Sequence, residues 1–166
     1  FSATTASAAP TNVARTATVT ASSQNSSTGQ TAAKAIAGSP VGYPGDATKE
    51  WATVGGRSGS WIKLTWASPV TINKVVLYDR PNTDDRVTGG QLTWSIGGTA
   101  VNVPSLANAG TATTVNFTTR TVTSLTFTVS SVSSTTHNVG LAEIEVWTAD
   151  TTPVNAARHP KERWGG

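Results

Sequence analysis

The chain has 166 residues, and cysteine is absent from it. Without cysteine there is no disulfide framework, thiolate zinc site, iron–sulfur cluster or thiol nucleophile. Histidine occurs only at His137 and His159, which leaves little for a multi-histidine metal centre. No apolar run approaches the roughly 20 residues that a membrane-spanning helix needs. The sequence therefore predicts no membrane span.

Charge is also scarce. Charged residues make up 13% of the chain, about half the usual quarter of a globular protein. The net charge is +3, and +2 of it comes from four residues near the C-terminus, Arg158, Lys161, Glu162 and Arg163. The other Lys and Arg residues are scattered, whereas a nucleic-acid-binding protein clusters them on one face. We therefore predict no nucleic-acid partner.

Hydroxyl side chains take the place of the scarce charged ones, with 30 Thr and 17 Ser. These residues are modest helix formers, so long helices are not expected. Runs rich in Val, Thr, Ile, Trp and Phe instead recur between Gly, Asn, Asp and Pro clusters, a pattern typical of strands. The clearest runs are Trp61–Trp66, Ile72–Asp79, Gln91–Ile96, Ala100–Val103, Thr113–Thr118, Thr121–Val132 and Val139–Trp147. One short helical segment is expected at Thr31–Ile36.

Alternation within these runs indicates which face is buried. Ile62, Leu64 and Trp66 share one face of their strand, and Leu92, Trp94 and Ile96 are expected to point inward from another. The segment from Lys74 to Tyr78 is apolar on both faces, which indicates a central strand. Strands that are half polar favour a sandwich or jelly roll. The Trp residues of these strands are expected in the core or at the sandwich edge.

The ends of the chain differ from its middle. Residues 1–11 are small and hydroxyl-rich, and they are interpreted as an N-terminal linker. Residues 150–166 have no periodicity and contain two prolines, so they are interpreted as a C-terminal tail or linker. Trp164 in this tail either docks on the domain or contacts a neighbouring module. One domain of the usual size is left, residues 12–149.

Six segments of this domain, in order, resemble motifs of the discoidin family (coagulation factor 5/8 type C domains). This family shares the galactose-binding-like fold with carbohydrate-binding modules of the family-32 type. The matching segments are Thr20–Gln24, Ala32–Gly38, Thr48–Thr53, Trp61–Leu64, Asp85–Gly89 and Gly140–Val146. The resemblance implies an all-β fold, an eight-stranded antiparallel β-sandwich of the jelly-roll kind. Loops at one end of such a sandwich bind the ligand.

The resemblance also implies a structural calcium ion. The matching ligands are the carbonyls of Lys34 and Ala142 together with Thr48 and Glu143, and oxygen ligands of this type suit calcium. Ala37 stands where the family usually has Asp, and Asp46 offers the missing carboxylate. In the alternative interpretation, Asp46 caps its loop and Glu143 pairs with a nearby cation.

Sugar binding is expected from the polar loop 79–86. In the sugar-binding relatives the loop after the corresponding strand carries an Arg that contacts sugar, and Arg80 matches it. Asn82 and Asp84 offer short-reach hydrogen bonds in the same loop. Asp85 and Arg86 are interpreted as a surface ion pair at the start of a strand.

Three further residues complete the expected ligand site. Tyr43 lies on a loop rich in Gly and Pro, where it either stacks on a sugar or anchors the loop. His137 and Asn138 precede the last strand, where the binding loops of the family approach. His137 is otherwise an ordinary exposed turn residue.

The sequence shows no catalytic motif. Gly56–Ser60 fails the nucleophile-elbow pattern at its last place, and no Gly-rich phosphate loop is present. We therefore predict a non-catalytic, secreted carbohydrate-binding module, one that is linked to a catalytic domain and binds galactose, an amino sugar or a polysaccharide. The alternatives are a lipid- or protein-binding discoidin domain and a structural spacer.

Overall fold

A computed structural model describes residues 9–150 of the chain. Its seven strands are β1 (Thr18–Ala21), β2 (Trp51–Ala52), β3 (Trp61–Asp79), β4 (Val87–Trp94), β5 (Val101–Val103), β6 (Thr113–Val132) and β7 (Gly140–Thr148). Short 3₁₀ helices lie at Val13–Thr16, Ser26–Thr28, Ala32–Ile36 and Ala47–Lys49. Most of the expected linker and tail, including Trp164, lies outside the described residues.

Two long strands build both layers of the sandwich. The first half of β3 pairs with β1 and with the second half of β6, which also pairs with β4. The second half of β3 pairs with the first half of β6 and with β7. The β3–β6 register shifts between Thr65 and Val70 and again between Ile72 and Lys74, and bulges of this kind bend a strand. All of these pairings are antiparallel.

The expected β-sandwich is confirmed. Eight strands were expected and seven are described. The two predicted runs within residues 61–79 form one continuous bent strand, and so do the two predicted runs within residues 113–132. The inward-facing sets meet in one apolar core, in which Ile62, Leu64 and Phe127 are fully buried. Val75, Val76 and Leu77 are all buried, as expected for a strand between two neighbours. The expected helical segment appears as the 3₁₀ helix Ala32–Ile36.

The predicted bounds of the strand at Gln91–Ile96 were wrong at both ends. The strand begins at Val87 and ends at Trp94, so Ile96 lies in the following turn and is 62% exposed rather than inward-facing. Gly89 and Gly90 lie before the expected strand Gln91–Ile96, yet both belong to β4. A Cβ on Gly90 would lie 2.4 Å from the Phe127 ring, so the glycine permits close packing against β6.

The two ends of the sandwich have different roles. At one end, called here the cavity end, β3 stops at Asp79, β4 starts at Val87, β6 stops at Val132 and β7 starts at Gly140. At the other, the terminal end, the backbone of Thr148 donates to the Thr11 carbonyl over 3.0 Å. The first and last described segments are therefore neighbours. Among the described residues, no helix is long and apolar enough to cross a membrane.

Candidate functional site

Four loops at the cavity end enclose a cavity of about 440 Å³. The loops follow β3, precede β7 and flank two 3₁₀ helices, so rigid elements fix their ends. The lining residues are Thr28, Gln30, Tyr43, Ala47, Arg80, Asn82, Asp84, Asp85, His137 and Asn138. All six expected ligand-binding residues are therefore brought together in one place.

The floor of the cavity is a buried ion cluster centred on Arg80. Its Nε donates to Glu50 Oε2 over 2.8 Å, and its Nη2 donates to Glu50 Oε1 over 3.2 Å. Its Nη1 donates to Asp85 Oδ2 over 2.7 Å and to the Asn138 carbonyl over 2.6 Å. The three charged side chains are almost completely buried. The planar fork of arginine suits two carboxylates at once.

Further donors complete the coordination of the two buried carboxylates. The backbone N–H of Tyr43 and the amide of Gln30 both donate to Glu50 Oε1. The backbone N–H of His137 and the amide of Asn82 donate to Asp85. Each loop of the cavity is thus tied to the same cluster. Buried charges need hydrogen-bond or ion-pair partners, because an unpaired buried charge lowers the stability of the fold.

The cluster corrects the interpretation of two residues. Asp85 was expected to form a surface pair with Arg86, but it is only 4% exposed and pairs with Arg80. The sequence also gave no role to Glu50, which lies 30 positions before Arg80 and has no exposed surface. No short-range sequence pattern marks a contact between residues that are 30 positions apart. The one available signal was a charged residue directly before Trp51.

Arg80 itself has little capacity left for a ligand. A guanidinium has five N–H donors, and four of them are used within the cluster. The remaining N–H belongs to Nη2. Arg80 therefore mainly fixes the shape of the cavity, and it can donate at most one hydrogen bond to a bound molecule.

Tyr43 and the polar side chains form the rim. The Tyr43 side chain is 49% exposed, while its backbone is held by Glu50. Gly42 allows this approach, because a Cβ there would lie 2.6 Å from Glu50 Oε2. His137 is exposed, and the Asn138 side chain accepts from the backbone of Gly55 over 2.8 Å.

Asp84 is the open acid of the rim. Its residue is exposed, and its carboxylate has no partner among the described residues. Its backbone is fixed, since its N–H donates to Asn82 Oδ1 and its carbonyl accepts from Ser133 and Thr135. The loop thus holds this carboxylate in place with its oxygens free.

A third buried carboxylate, Asp79, closes the base of the same loop. It accepts from the backbone N–H groups of Arg80 and Val87, over 2.9 and 3.0 Å. Burial raises its pKa to about 7, although the two N–H donors and the neighbouring arginines oppose this shift. Asp79 therefore fixes both ends of the loop that carries Arg80, Asn82 and Asp84.

The residues expected to hold calcium were tested for fit. Asp46 Oδ1 accepts from both the backbone and the hydroxyl of Thr48, which is the capping alternative, and these bonds lower the Asp46 pKa. The Thr48 carbonyl accepts from the Lys34 ammonium over 2.8 Å, and the Lys34 carbonyl accepts from Ala37. Among residues 9–150, no three His, Cys, Asp or Glu side chains cluster around one point.

Glu143 is the remaining member of the expected calcium set. It lies beside Ala142 at a register shift in β7, it is 2% exposed, and its Oε2 has no partner. Burial raises its pKa to about 7, against hydrogen bonds from the backbone of Gly38 and Ser39 and the charge of Arg15. The Arg15 guanidinium lies against Gly38. Because the Lys34 ammonium bonds to the Thr48 carbonyl beside the expected ligands, and Ala37 supplies no carboxylate, this set does not fit a calcium ion.

The fold was compared with solved structures. A fucose-binding module of Streptococcus pneumoniae is 20% identical, with a TM-score of 0.68 over 84% of this chain and 99% of that one. The Clostridium perfringens module CpGH89CBM32-5, solved with GalNAc-β-1,3-galactose, is 19% identical, with a TM-score of 0.65 over 84% and 100%. Chitosan-binding module 1 of a Paenibacillus sp. IK-5 chitosanase/glucanase is 24% identical, with a TM-score of 0.63 over 82% and 97%.

These similarities confirm the expected galactose-binding-like fold. No curated protein sequence matches the chain. The sequence profile of one family covers residues 12–147, which include β1 to β6, all but the last residue of β7 and every residue of the cavity. The chain therefore belongs to the family described as "Domain of unknown function (DUF7402)".

Proposed function

We propose that the chain is a non-catalytic glycan-binding module that holds a sugar in the cavity between its four loops. The observation that carries this proposal is the combination of a rigid charged floor, open polar side chains and an exposed tyrosine at the rim. Sugars need both directional hydrogen bonds and an aromatic surface for the apolar face of the ring. The similar modules named above are described as binding sugars.

The non-catalytic role follows from the state of the carboxylates. Hydrolysis of a glycosidic bond needs two carboxyl groups that flank the bond. Glu50 and Asp85 are buried against Arg80, and of the carboxylates in the cavity only Asp84 is open. A single open carboxylate supports binding rather than hydrolysis.

The test is a glycan array followed by calorimetric titration with the best ligand. We expect Tyr43→Ala to weaken binding at least fivefold, because the stacking surface is lost. Ile96→Ala is the matched control, since Ile96 is also exposed but follows β4 at the other end of the sandwich. An unchanged affinity for Tyr43→Ala would remove the rim from the site. A folded protein that binds no glycan would overturn the proposed function.

One observation favours a second candidate, a membrane-binding discoidin domain. Val41, Tyr43 and Val54 are all exposed, at 44%, 49% and 64%, and Val54 precedes Gly55, which contacts Asn138. Exposed apolar loop tips of this kind insert into lipid. Sedimentation with phosphatidylserine vesicles separates the two candidates, because a glycan-binding module remains in the supernatant.

We further propose that the module works outside the cell, attached to an enzyme that acts on polysaccharide. The hydroxyl-rich composition and the absence of cysteine support this proposal. So does the position of the described ends, which lie together at the terminal end and leave the cavity open. Fractionation of cells that express the full gene product tests it, and retention in the cytoplasm would contradict it.

A further inference from the structure

The cavity carries a negative charge although the chain as a whole is positive. The buried cluster holds one cation, Arg80, against two anions, Glu50 and Asp85, so it has a formal charge of −1. Asp84 brings the formal charge of the Asp, Glu and Arg side chains at the cavity to −2. No lysine and no second arginine lines the cavity. The whole chain, in contrast, has a net charge of +3.

This charge is positioned to act on a ligand. The excess anion of the cluster is buried, and charge in a poorly polarisable surrounding acts over a longer distance than charge in water. Arg80 cannot offset an added anion, because four of its five donors are already used. Asp84 extends the same sign to the rim, where its carboxylate has no partner among the described residues.

We infer that the cavity prefers a sugar with a free ammonium group, such as an unacetylated 2-amino sugar, and that Asp84 pairs with this ammonium. The inference rests on the proposed glycan-binding function and names its ligand class. A uronic acid would place a carboxylate against two uncompensated anions, so acidic sugars are disfavoured. A neutral or N-acetylated sugar can use the same hydrogen bonds but lacks the charge interaction.

The experiment compares four probes of equal length by calorimetry. They are oligomers of glucosamine, N-acetylglucosamine, galactose and glucuronic acid, at about pH 7, which is below the ordinary pKa of an amine. We expect the glucosamine oligomer to bind about three- to tenfold more tightly than the neutral oligomers, and the uronic acid oligomer most weakly. Added salt should reduce this preference, since the interaction is electrostatic.

Substitution of Asp84 tests whether this side chain is the source of the preference for the ammonium sugar. Asp84→Asn should lower the ratio of glucosamine to neutral-sugar affinity to less than about twofold. Glu145→Gln is the matched control, because it removes the same charge from β7, where Glu145 contacts Trp147 instead of the cavity. This control should keep the full ratio.

The outcomes separate the two proposals. Binding of neutral sugars without preference for the ammonium form overturns the ligand class and leaves the glycan-binding function in place. Binding of none of the probes or array glycans by folded protein overturns both. An ammonium preference that Asp84→Asn does not reduce would assign the charge to the buried cluster and overturn the role of Asp84.

Discussion

Arg80 connects the stability of the cavity end to its shape. The side chain is predicted to contact a sugar, and the structure places it in the cavity lining as the buried centre of an ion cluster. Buried ion pairs add little stability relative to apolar packing, but removal of one partner leaves the others uncompensated. Arg80 is therefore expected to be far more sensitive to substitution than any exposed arginine.

Arg80→Gln should lower the free energy of unfolding by about 3–5 kcal/mol, because Glu50 and Asp85 lose their buried cation. Urea denaturation followed by tryptophan fluorescence measures the change. Arg86→Gln is the control, since Arg86 lies on the same loop but is exposed, and it should cost less than about 1 kcal/mol. Equal losses for the two variants would contradict the buried cluster.

Asp79 gives stability a definite pH dependence. Its pKa is raised from an ordinary 3.8 to about 7, so the folded state holds a proton that the unfolded state has released. The sign follows directly: stability is highest below about pH 4 for this group and is lost as the pH rises through about 7. The loss is on the order of 4 kcal/mol.

Asp79→Asn should flatten the profile of unfolding free energy between about pH 4 and 7. The variant is also less stable at every pH, because an amide oxygen replaces only one of two acceptors. The Asp46→Asn control should keep the wild-type slope, since the lowered pKa of Asp46 leaves it ionised throughout this range. A slope that survives in Asp79→Asn would assign the titration to another group, with Glu143 the first to examine.

Calcium is tested by thermal unfolding with excess calcium and with a chelator. The two melting temperatures should agree within about 1 °C, because Lys34 and Thr48 already engage the expected ligands. A ligand that binds only the folded state raises the melting temperature. A rise that disappears in Glu143→Gln would show that the free Oε2 takes a cation and would restore the calcium site.

At the scale of elements, alternation predicted the strands well because each strand has one face in the core. It failed where a contact between distant segments decides the structure. Gly90 lay outside the expected strand, and the close approach of Phe127 and Thr128 on β6 explains why a glycine stands at this place in β4. The six expected ligand-binding residues could be predicted because polar residues on β-sandwich loops stand out in a sequence. The burial of Asp85 against Arg80 could not be predicted, because it depends on the three-dimensional arrangement.

Gly90→Ala tests this close packing between β4 and β6. The added Cβ overlaps the Phe127 ring, and overpacking of this kind costs about 1–3 kcal/mol. Gln91→Ala on the exposed face of the same strand is the control and should change stability by less than about 0.5 kcal/mol. A double variant with Phe127→Leu should recover part of the loss, which chemical denaturation can measure.

At the scale of the whole molecule, the cavity and the described ends of the chain lie at opposite ends of the sandwich. β7 spans this distance, from Gly140 beside the cavity to Thr148 beside Thr11. Nine extended residues measure about 27 Å from first to last. The described ends of the chain, at residues 9 and 150, therefore lie away from the cavity.

This arrangement determines how the module carries a mechanical load. When one end grips a fixed glycan and the other is pulled by an attached protein, the tension runs along the axis of β7. Its seven paired positions with β3 are then loaded together, in shear, rather than opened one after another like a zipper. The strand that separates the cavity from the described chain ends would thus let a small domain hold an attached protein on a surface under flow.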